Sequence, residues 1–484
     1  MRRSSTATLL LSVSAVLVLL SGCLATKPYE APEVETAPLY GTPSTDLDSA
    51  SLARVPWPEV FADSTLRGLI REALRNNLDL RAAVQQVRVA EANLRSARGA
   101  LFPDLFVGGT ASYSEPSENG PAGAGQGAAA ASDQYAVTAS SAWEVDLWGR
   151  LTSAKRAERA ALLETAAAQR GVQTAIVASV ARGYYQLLAL DRQLAITKET
   201  VTTRRADLET VRSLKAGGEV TNVAVERSRA SLAAARASVP TLQQAITEQE
   251  HALSVLLGRP PGAVDRSRLA AQSPLDSLAT GVPARLLRNR PDVIGAMAQY
   301  RRAFERTNSA RAAFYPSLTV TAEGGLESLS VEDLLTPGSL FYSVVGGLTQ
   351  PLFAQGQNEA RLTRRTAQQR QARLALRRTL LNAGREVTNA RSRYQNATRQ
   401  MEARSTQLEA LRTAVADSRE LLRFGEVTYL QVLTAQQEYL AAQLDQVNDR
   451  LDRLEAGVTL YRALGGGWDP SSLPDSMDGA QGDR

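Results

Sequence analysis

Gly218-Glu219-Val220-Thr221 recurs 207 residues later as Gly425-Glu426-Val427-Thr428, and Leu257-Gly258 recurs at the same offset as Leu464-Gly465. The stretch between these two marks therefore keeps register without a gap. Ala97-Arg98 through Pro103 matches Ala310-Arg311 through Pro316 with an offset of 213, and Leu147-Trp148 matches Leu352-Phe353 with one of 205. A long fixed period is a statement about fold and is read before any motif. The chain is written twice, and each copy runs in the order helix, two strand-like segments, long helices. Repeat 1 is placed at 57–265 and repeat 2 at 266–470, followed by a flexible tail at 471–484.

From Asp63 to Arg98 the pattern is helical, with Leu66, Leu69, Ile70, Ala73 and Leu74 on one face. Period two then takes over. From Gln134 to Leu147 one row holds Tyr135, Val137, Ala139, Ser141, Trp143, Val145 and Leu147, and the other includes Gln134, Thr138, Ser140, Glu144 and Asp146. Ser317 to Gly324 alternates Leu318, Val320 and Ala322 against Ser317, Thr319, Thr321 and Glu323. Leu105 to Tyr113 and Phe341 to Gln350 supply two more runs. Membrane strands of ~9–11 residues carry one apolar and one polar face, and these four fit that description. Glu115 to Ser132, packed with Gly, Ala, Ser and Pro, reads as an exposed loop; Glu327 to Ser339 joins the second pair through Pro337-Gly338. Tyr113, Tyr135, Trp143, Trp148, Tyr342 and Phe353 sit near strand ends, as a membrane-interface girdle requires. The competing reading is two soluble hairpins on a helical body.

No proline occurs from Arg150 to Val239 or from Leu352 to Asp469. Near the C-terminus Leu430, Leu444, Leu451 and Val458 form one heptad row, interrupted by Gln437, and Leu433, Leu440, Val447, Leu454 and Tyr461 form the other. That spacing is coiled-coil packing. Copy one shows Val225, Leu232, Val239, Ile246 and Leu253, with Pro240 expected to kink the helix. Long thin coiled coils are described here, not an enzyme core. One Cys and one His, His251, leave no nucleophile, base and orienting group to assemble and no Cys- or His-based metal site, so neither an enzyme nor a cofactor is expected. His251 is assigned a structural place on its apolar-striped helix. Eleven Arg between Arg361 and Arg399 against Glu359 and Glu386 look like a nucleic-acid patch. A net charge of only +5 and an export signal favour a solvated helix face or a lining that meets acidic neighbours.

That signal is Arg2 and Arg3 before an apolar run from Leu9 to Leu20, which is too short to span as a helix. It ends in Leu20-Ser21-Gly22-Cys23, which resembles the bacterial lipoprotein signal cleaved before a lipidated cysteine. Residues 1–22 are read as signal peptide, Cys23 as the acylated residue, and 23–56 as an extended lipidated tether. Leu24 after the cysteine allows transfer to the outer membrane in that family logic. An acyl anchor attaches but does not span.

Four strands cannot close a barrel, which begins at about eight; an open channel needs about twelve, or three copies of this chain. The fold expected is mainly α with membrane β: a homotrimeric twelve-stranded β-barrel continued by a long α-helical coiled-coil barrel.

Trp57, Phe61, Asp63, Asn77, Asp79 and Leu80, the run Trp143-Glu144-Val145-Asp146-Leu147-Trp148-Gly149-Arg150, and Arg290-Pro291-Asp292-Val293 come in a specific order. Phe314-Tyr315-Pro316-Ser317, Pro351-Leu352-Phe353 and Tyr461-Arg462-Ala463-Leu464-Gly465-Gly466-Gly467-Trp468 complete it. In this order the chain resembles the TolC-type outer membrane factor family, the outer membrane efflux lipoproteins of the NodT-like subgroup. The resemblance implies a trimeric exit duct of a tripartite efflux pump in a Gram-negative outer membrane. The duct would be a passive conduit for drugs or other small toxic compounds, with a tunnel reaching into the periplasm. Its implied partners are its own copies, outer membrane lipid, a periplasmic adaptor (membrane fusion protein) and an inner-membrane pump of the RND type, with no nucleic acid. The tip and adaptor contact would be Gly217, Gly218, Glu219, Val220 and Thr221 with Gly425, Glu426, Val427 and Thr428. The aperture would be Tyr429, Gln431 and Thr434. Two departures stand out. Met297 replaces the Glu usual after Arg-Pro-Asp, so a local ion pair is expected to be missing. Leu433-Thr434-Ala435 replaces Leu-Asp-Ala, which removes a carboxylate ring that would set cation preference. A type I secretion exit duct and a lipid-anchored periplasmic coiled-coil adaptor are the alternatives.

Overall fold

The computed structural model describes residues 25–32, 55–115, 117, 131–273 and 290–468. Cys23, the leader and the C-terminal tail lie outside them. The elements are α1 (Trp57–Val60), α2 (Ser64–Asn76), α3 (Leu78–Gly99), β1 (Phe106–Ser114), β2 (Ser132–Val145), α4 (Arg150–Ala216) and α5 (Asn222–Leu256). They continue with α6 (Pro291–Ala312), β3 (Ser317–Ser328), β4 (Leu340–Thr349), α7 (Gln357–Arg423) and α8 (Tyr429–Ala463). The long helices repeat in length: α4 and α7 have 67 residues each, α5 and α8 have 35. Among the described residues no helix is long and apolar enough to cross a membrane.

The four long helices end in one way. Gly218, Gly258, Gly425 and Gly465 have φ of 78°, 75°, 72° and 91°. Behind each, an N–H reaches back five residues: Glu219 to Leu214 O, Arg259 to Ser254 O, Glu426 to Leu421 O and Gly466 to Tyr461 O, at 2.9 to 3.0 Å. This is the left-handed cap that satisfies the last carbonyls of a helix, and glycine adopts it without a Cβ penalty. The helix expected from Asp63 to Arg98 is two helices, because Asn77 takes an extended ψ of 128° and its Oδ1 accepts from Leu80 N–H at 3.1 Å, capping α3. Pro240 lies inside α5, which continues through it to Leu256.

Two compact units are present. Of the described residues, the first takes in 25–32 and those within 87–165 and 296–376, and holds the sheet; the second takes in those within 55–86, 166–295 and 377–468. In the first, the expected tether is not wholly solvated: of residues 25–32, Ala25 is buried and Tyr29 is half-buried. Tyr29 sits edge-on to Phe304 at 5.4 Å with the Arg301 guanidinium 5.0 Å over its ring, and Lys27 exchanges backbone bonds with the Asn308 amide.

The second unit is built on a cluster that includes Phe61, Leu66, Ile70, Tyr184, Leu187, Leu188, Leu253, Leu257 and Leu454. Asp63 is its polar pivot. One carboxylate oxygen caps α2 through the Thr65 N–H at 2.8 Å. The other accepts from Tyr184 Oη at 2.8 Å, Ser267 Oγ at 2.5 Å and Gln272 Nε2 at 2.7 Å. Burial alone would raise its pKa, but the bonds from Ser267, Tyr184, Gln272 and Thr65 together outweigh it and bring it to about 2. Arg290 is 92% buried as a side chain and pairs with Asp292 at 2.8 Å and Glu386 at 2.7 Å, while its Nη1 donates to Ala463 O at 2.6 Å. Arg290 thus takes its carboxylates from Asp292 and from Glu386, on α7.

Candidate functional site: the uncovered sheet and the two hairpin turns

The sheet is antiparallel in the order β1-β2-β3-β4. Directly opposed residues share a face, so the register decides how the rows combine. Leu348, Leu318 and Val145 stand opposite one another, then Val320 and Trp143, then Val344, Ala322 and Ser141. Leu340, Leu326 and Val137 form a further row, and Ala139 continues to Val107. One face is apolar across all four strands. The other carries Thr319, Thr321, Glu323 and Glu327 beside Gln134, Thr138 and Ser140, with Gln134 Nε2 donating to Glu327 Oε1 at 2.6 Å.

Nothing among the described residues covers the apolar face. Every residue of β1 is exposed, and on β4 Leu340, Tyr342, Val344 and Leu348 are 67 to 84% exposed. A water-soluble sheet buries such a face against a second layer. Among the described residues the edge strands β1 and β4 have no outer partner. β3 runs four residues beyond the alternating stretch, to Ser328, because backbone pairing continues to Tyr135. Gly325 is required where the chain is closest, since a Cβ there would collide with Val137 O of β2.

At the foot of the sheet Trp148 stacks on Tyr315 at 5.0 Å and donates from Nε1 to Pro316 O at 2.8 Å. Trp143 Nε1 reaches Leu101 O at 3.0 Å. Asp146 accepts from Leu151 and Thr152 N–H at 2.9 and 2.7 Å, capping α4 at its positive end, and Arg150 pairs with Glu144. These bonds give the Trp-Glu-Val-Asp-Leu-Trp-Gly-Arg motif its physical content: it turns a strand into a helix.

In the second unit the two hairpin turns are held side by side. Leu208, Val211, Val225, Leu232, Tyr429 and Leu433 form one apolar cluster, with Val220, Ala224 and Leu422 against it. Gly217, Gly218, Glu219, Thr221, Gly425, Glu426 and Thr428 are exposed, and Val220 and Val427 are half-buried. Of the expected aperture residues, Gln431 and Thr434 are exposed, but Tyr429 is 6% exposed and belongs to the cluster. Gln431 is occupied as a cap, its Oε1 accepting from Thr428 N–H at 2.8 Å, and Thr434 Oγ1 donates to Leu430 O at 3.0 Å. The polar residue inside the α8 seam is Gln436, bonded by the buried Arg204 of α4, whereas Gln437 faces solvent. Burial pushes the Arg204 pKa down. Leu430, placed in the seam by its spacing, is 49% exposed. His251 is exposed and takes no part in the apolar packing. Arg204 to Gln436, and Arg419 to Asp207 at 3.5 Å, tie α7 and α8 to α4 just behind the turns. Sequence reading missed them, and a buried polar pair across helices leaves no local pattern to find.

An uncovered, one-face-apolar sheet joined to paired long helices defines a membrane-strand and helical-hairpin protein. The chain belongs to the outer membrane efflux protein family, whose model matches it at residues 69–259 and 282–466. The toluene efflux pump outer membrane protein TtgF of Pseudomonas putida is 31% identical over 419 residues, 86% of each chain. A crystal structure of CusC superposes with a TM-score of 0.82 at 27% identity, covering 92% of this chain and all of that one. The open state of the MtrE outer membrane channel of Neisseria gonorrhoeae gives 0.83 at 25% identity, covering 92% and 98%.

Proposed function

We propose that this chain is one protomer of an outer membrane efflux channel, a passive exit duct for small toxic compounds. Three copies join β1 of one to β4 of the next into a twelve-stranded barrel. The observation that carries this is the apolar face running across four strands that, among the described residues, have two open edges and no covering layer. Strand number supports three copies, since four strands cannot close and about twelve enclose water. An adaptor scaffold would have no use for an uncovered apolar sheet. Energy comes from an inner-membrane pump, reached through a periplasmic adaptor at the exposed turns around Glu219 and Glu426. Cys23 carries the lipid.

Reconstituted protein is expected to give discrete conductance steps in planar bilayers, and crosslinking in extracted membranes to give trimers. Monomers alone, or no conductance, would overturn the reading. The E219K/E426K double variant is expected to bind the adaptor roughly tenfold more weakly while conducting alone, because exposed interface charges act on encounter and register. Unchanged adaptor binding and unchanged drug susceptibility would remove those two residues from the contact. Cys23→Ser is expected to abolish labelling by radioactive palmitate, and persistent label would move the anchor elsewhere.

A further inference from the structure

The helices that continue the strands are cationic where they leave the sheet. Within the sheet-bearing unit, residues 87–99, 150–165, 296–312 and 357–376 of α3, α4, α6 and α7 hold sixteen Arg and Lys against five Asp and Glu. The whole chain is only +5, so everything outside these segments is net negative. Most of the five acids are already engaged. Glu158 pairs with Arg306 and Glu164 with Arg302, each at 3.3 Å, and Glu305 is 2% exposed. By contrast Arg95, Arg98, Arg361 and Arg364 are exposed and have no carboxylate partner among the described residues. Burial, with Arg306, Arg364 and Arg361 close by, pushes the Arg365 pKa down, as a cluster short of counter-charge must.

A second copy of the chain would bring the same sixteen cations and five acids, which leaves the positive excess in place. What lies next to them is apolar. Phe102, Leu105, Leu352 and Phe353, between the strand ends and these helices, are 71 to 94% exposed. Arg361 and Arg364 follow Phe353 by eight and eleven residues, within two helical turns of the start of α7 at Gln357. At 1.5 Å per residue that is about 10 Å, roughly one Debye length. Uncovered aromatic and aliphatic side chains backed by guanidinium groups match a bilayer interface, where the first enter the acyl region and the second meet phosphate. Arginine suits that meeting, since its planar fork binds phosphate oxygens bidentately.

We infer that this basic belt binds the headgroups of anionic phospholipid in the leaflet that meets the helical end of the strands. The inference rests on the membrane-strand reading and adds a lipid preference to it. Full-length protein and the R95Q/R98Q/R361Q/R364Q variant are reconstituted in equimolar phosphatidylethanolamine and phosphatidylglycerol, re-extracted, and their retained lipid is measured by mass spectrometry. The wild type is expected to retain phosphatidylglycerol over phosphatidylethanolamine and to lose it with rising salt. The variant is expected to retain roughly tenfold less, and a four-lysine variant to keep most of it, because the charge remains. Equal retention of the two lipids by the wild type, or undiminished retention by the glutamine variant, overturns the inference. A shifted reversal potential with unchanged lipid retention also overturns it, since the guanidinium groups would then face the conduit. Conductance on the same samples keeps the two readings apart: a wild type that holds phosphatidylglycerol but does not conduct defeats the channel proposal alone.

Discussion

Asp63→Ala is expected to destabilise the protein by about 3 kcal/mol, from the loss of a helix cap and of several hydrogen bonds to one carboxylate. The change strips Thr65 N–H of its acceptor at the start of α2 and leaves Ser267 and Gln272 to find other partners at the edge of the core. Tyr184, fully buried, keeps only its two bonds with Ser267, one from the N–H and one with Oγ, each at 3.0 Å. Asp63→Asn retains an acceptor for the cap and is expected to cost about half as much. The charge gives a second handle. Because the folded state holds Asp63 at about 2, below its ordinary 3.8, its contribution is complete above the ordinary value and disappears as pH falls through the folded one. Thermal midpoints in detergent should therefore fall between pH 5 and pH 2 less steeply for Asp63→Ala than for the wild type. Equal slopes would show that the network does not bind a proton on unfolding.

Gly258→Ala is expected to be as damaging, at about 3 kcal/mol, because it combines a left-handed backbone with a collision against main chain. A Cβ at 258 would lie 2.5 Å from Asn76 O and 2.8 Å from its carbonyl carbon. Asn76 cannot retreat, since Asn77 beside it donates from Nδ2 to Leu256 O at 2.9 Å and locks the α2 to α3 corner onto the end of α5. Gly218→Ala meets nothing within 4 Å at nearly the same φ, so only the backbone penalty of about 1 kcal/mol applies. Comparable losses for the two substitutions, read as thermal midpoints of the purified variants, would show that the Asn76 contact does not matter.

These two sites mark how far the sequence carries. The strands were legible because a sheet with one lipid-facing and one polar face imposes a strict period of two. Observed β2, Ser132–Val145, differs from the expected Gln134–Leu147 by two residues at each end. Helix lengths were legible in the missing prolines and the heptads. The break at Asn77 was not, although an Asn before Leu78-Asp79 is a cap signal, because the apolar pattern runs on across it. The resemblance implies Tyr429 for the aperture, and the seam packs its ring with Leu208 and Val225, which spacing alone does not show. The packed stretch around Tyr29 was read as tether from composition, which reports solubility and says nothing of a partner ring.

The sequence by itself determined the repeat, the four amphipathic strands and the glycines at the helix ends, because periodicity and permissive dihedrals are local properties written into neighbouring residues. Only the tertiary structure decided what each glycine is worth. Gly218 and Gly258 share one cap and one φ, but the first turns into open space and the second against the backbone of a helix 182 positions earlier in the chain. The same holds for Asp63, whose three partners lie 121, 204 and 209 residues away. Contacts at such separations depend on where packing brings distant segments, and no local pattern encodes that.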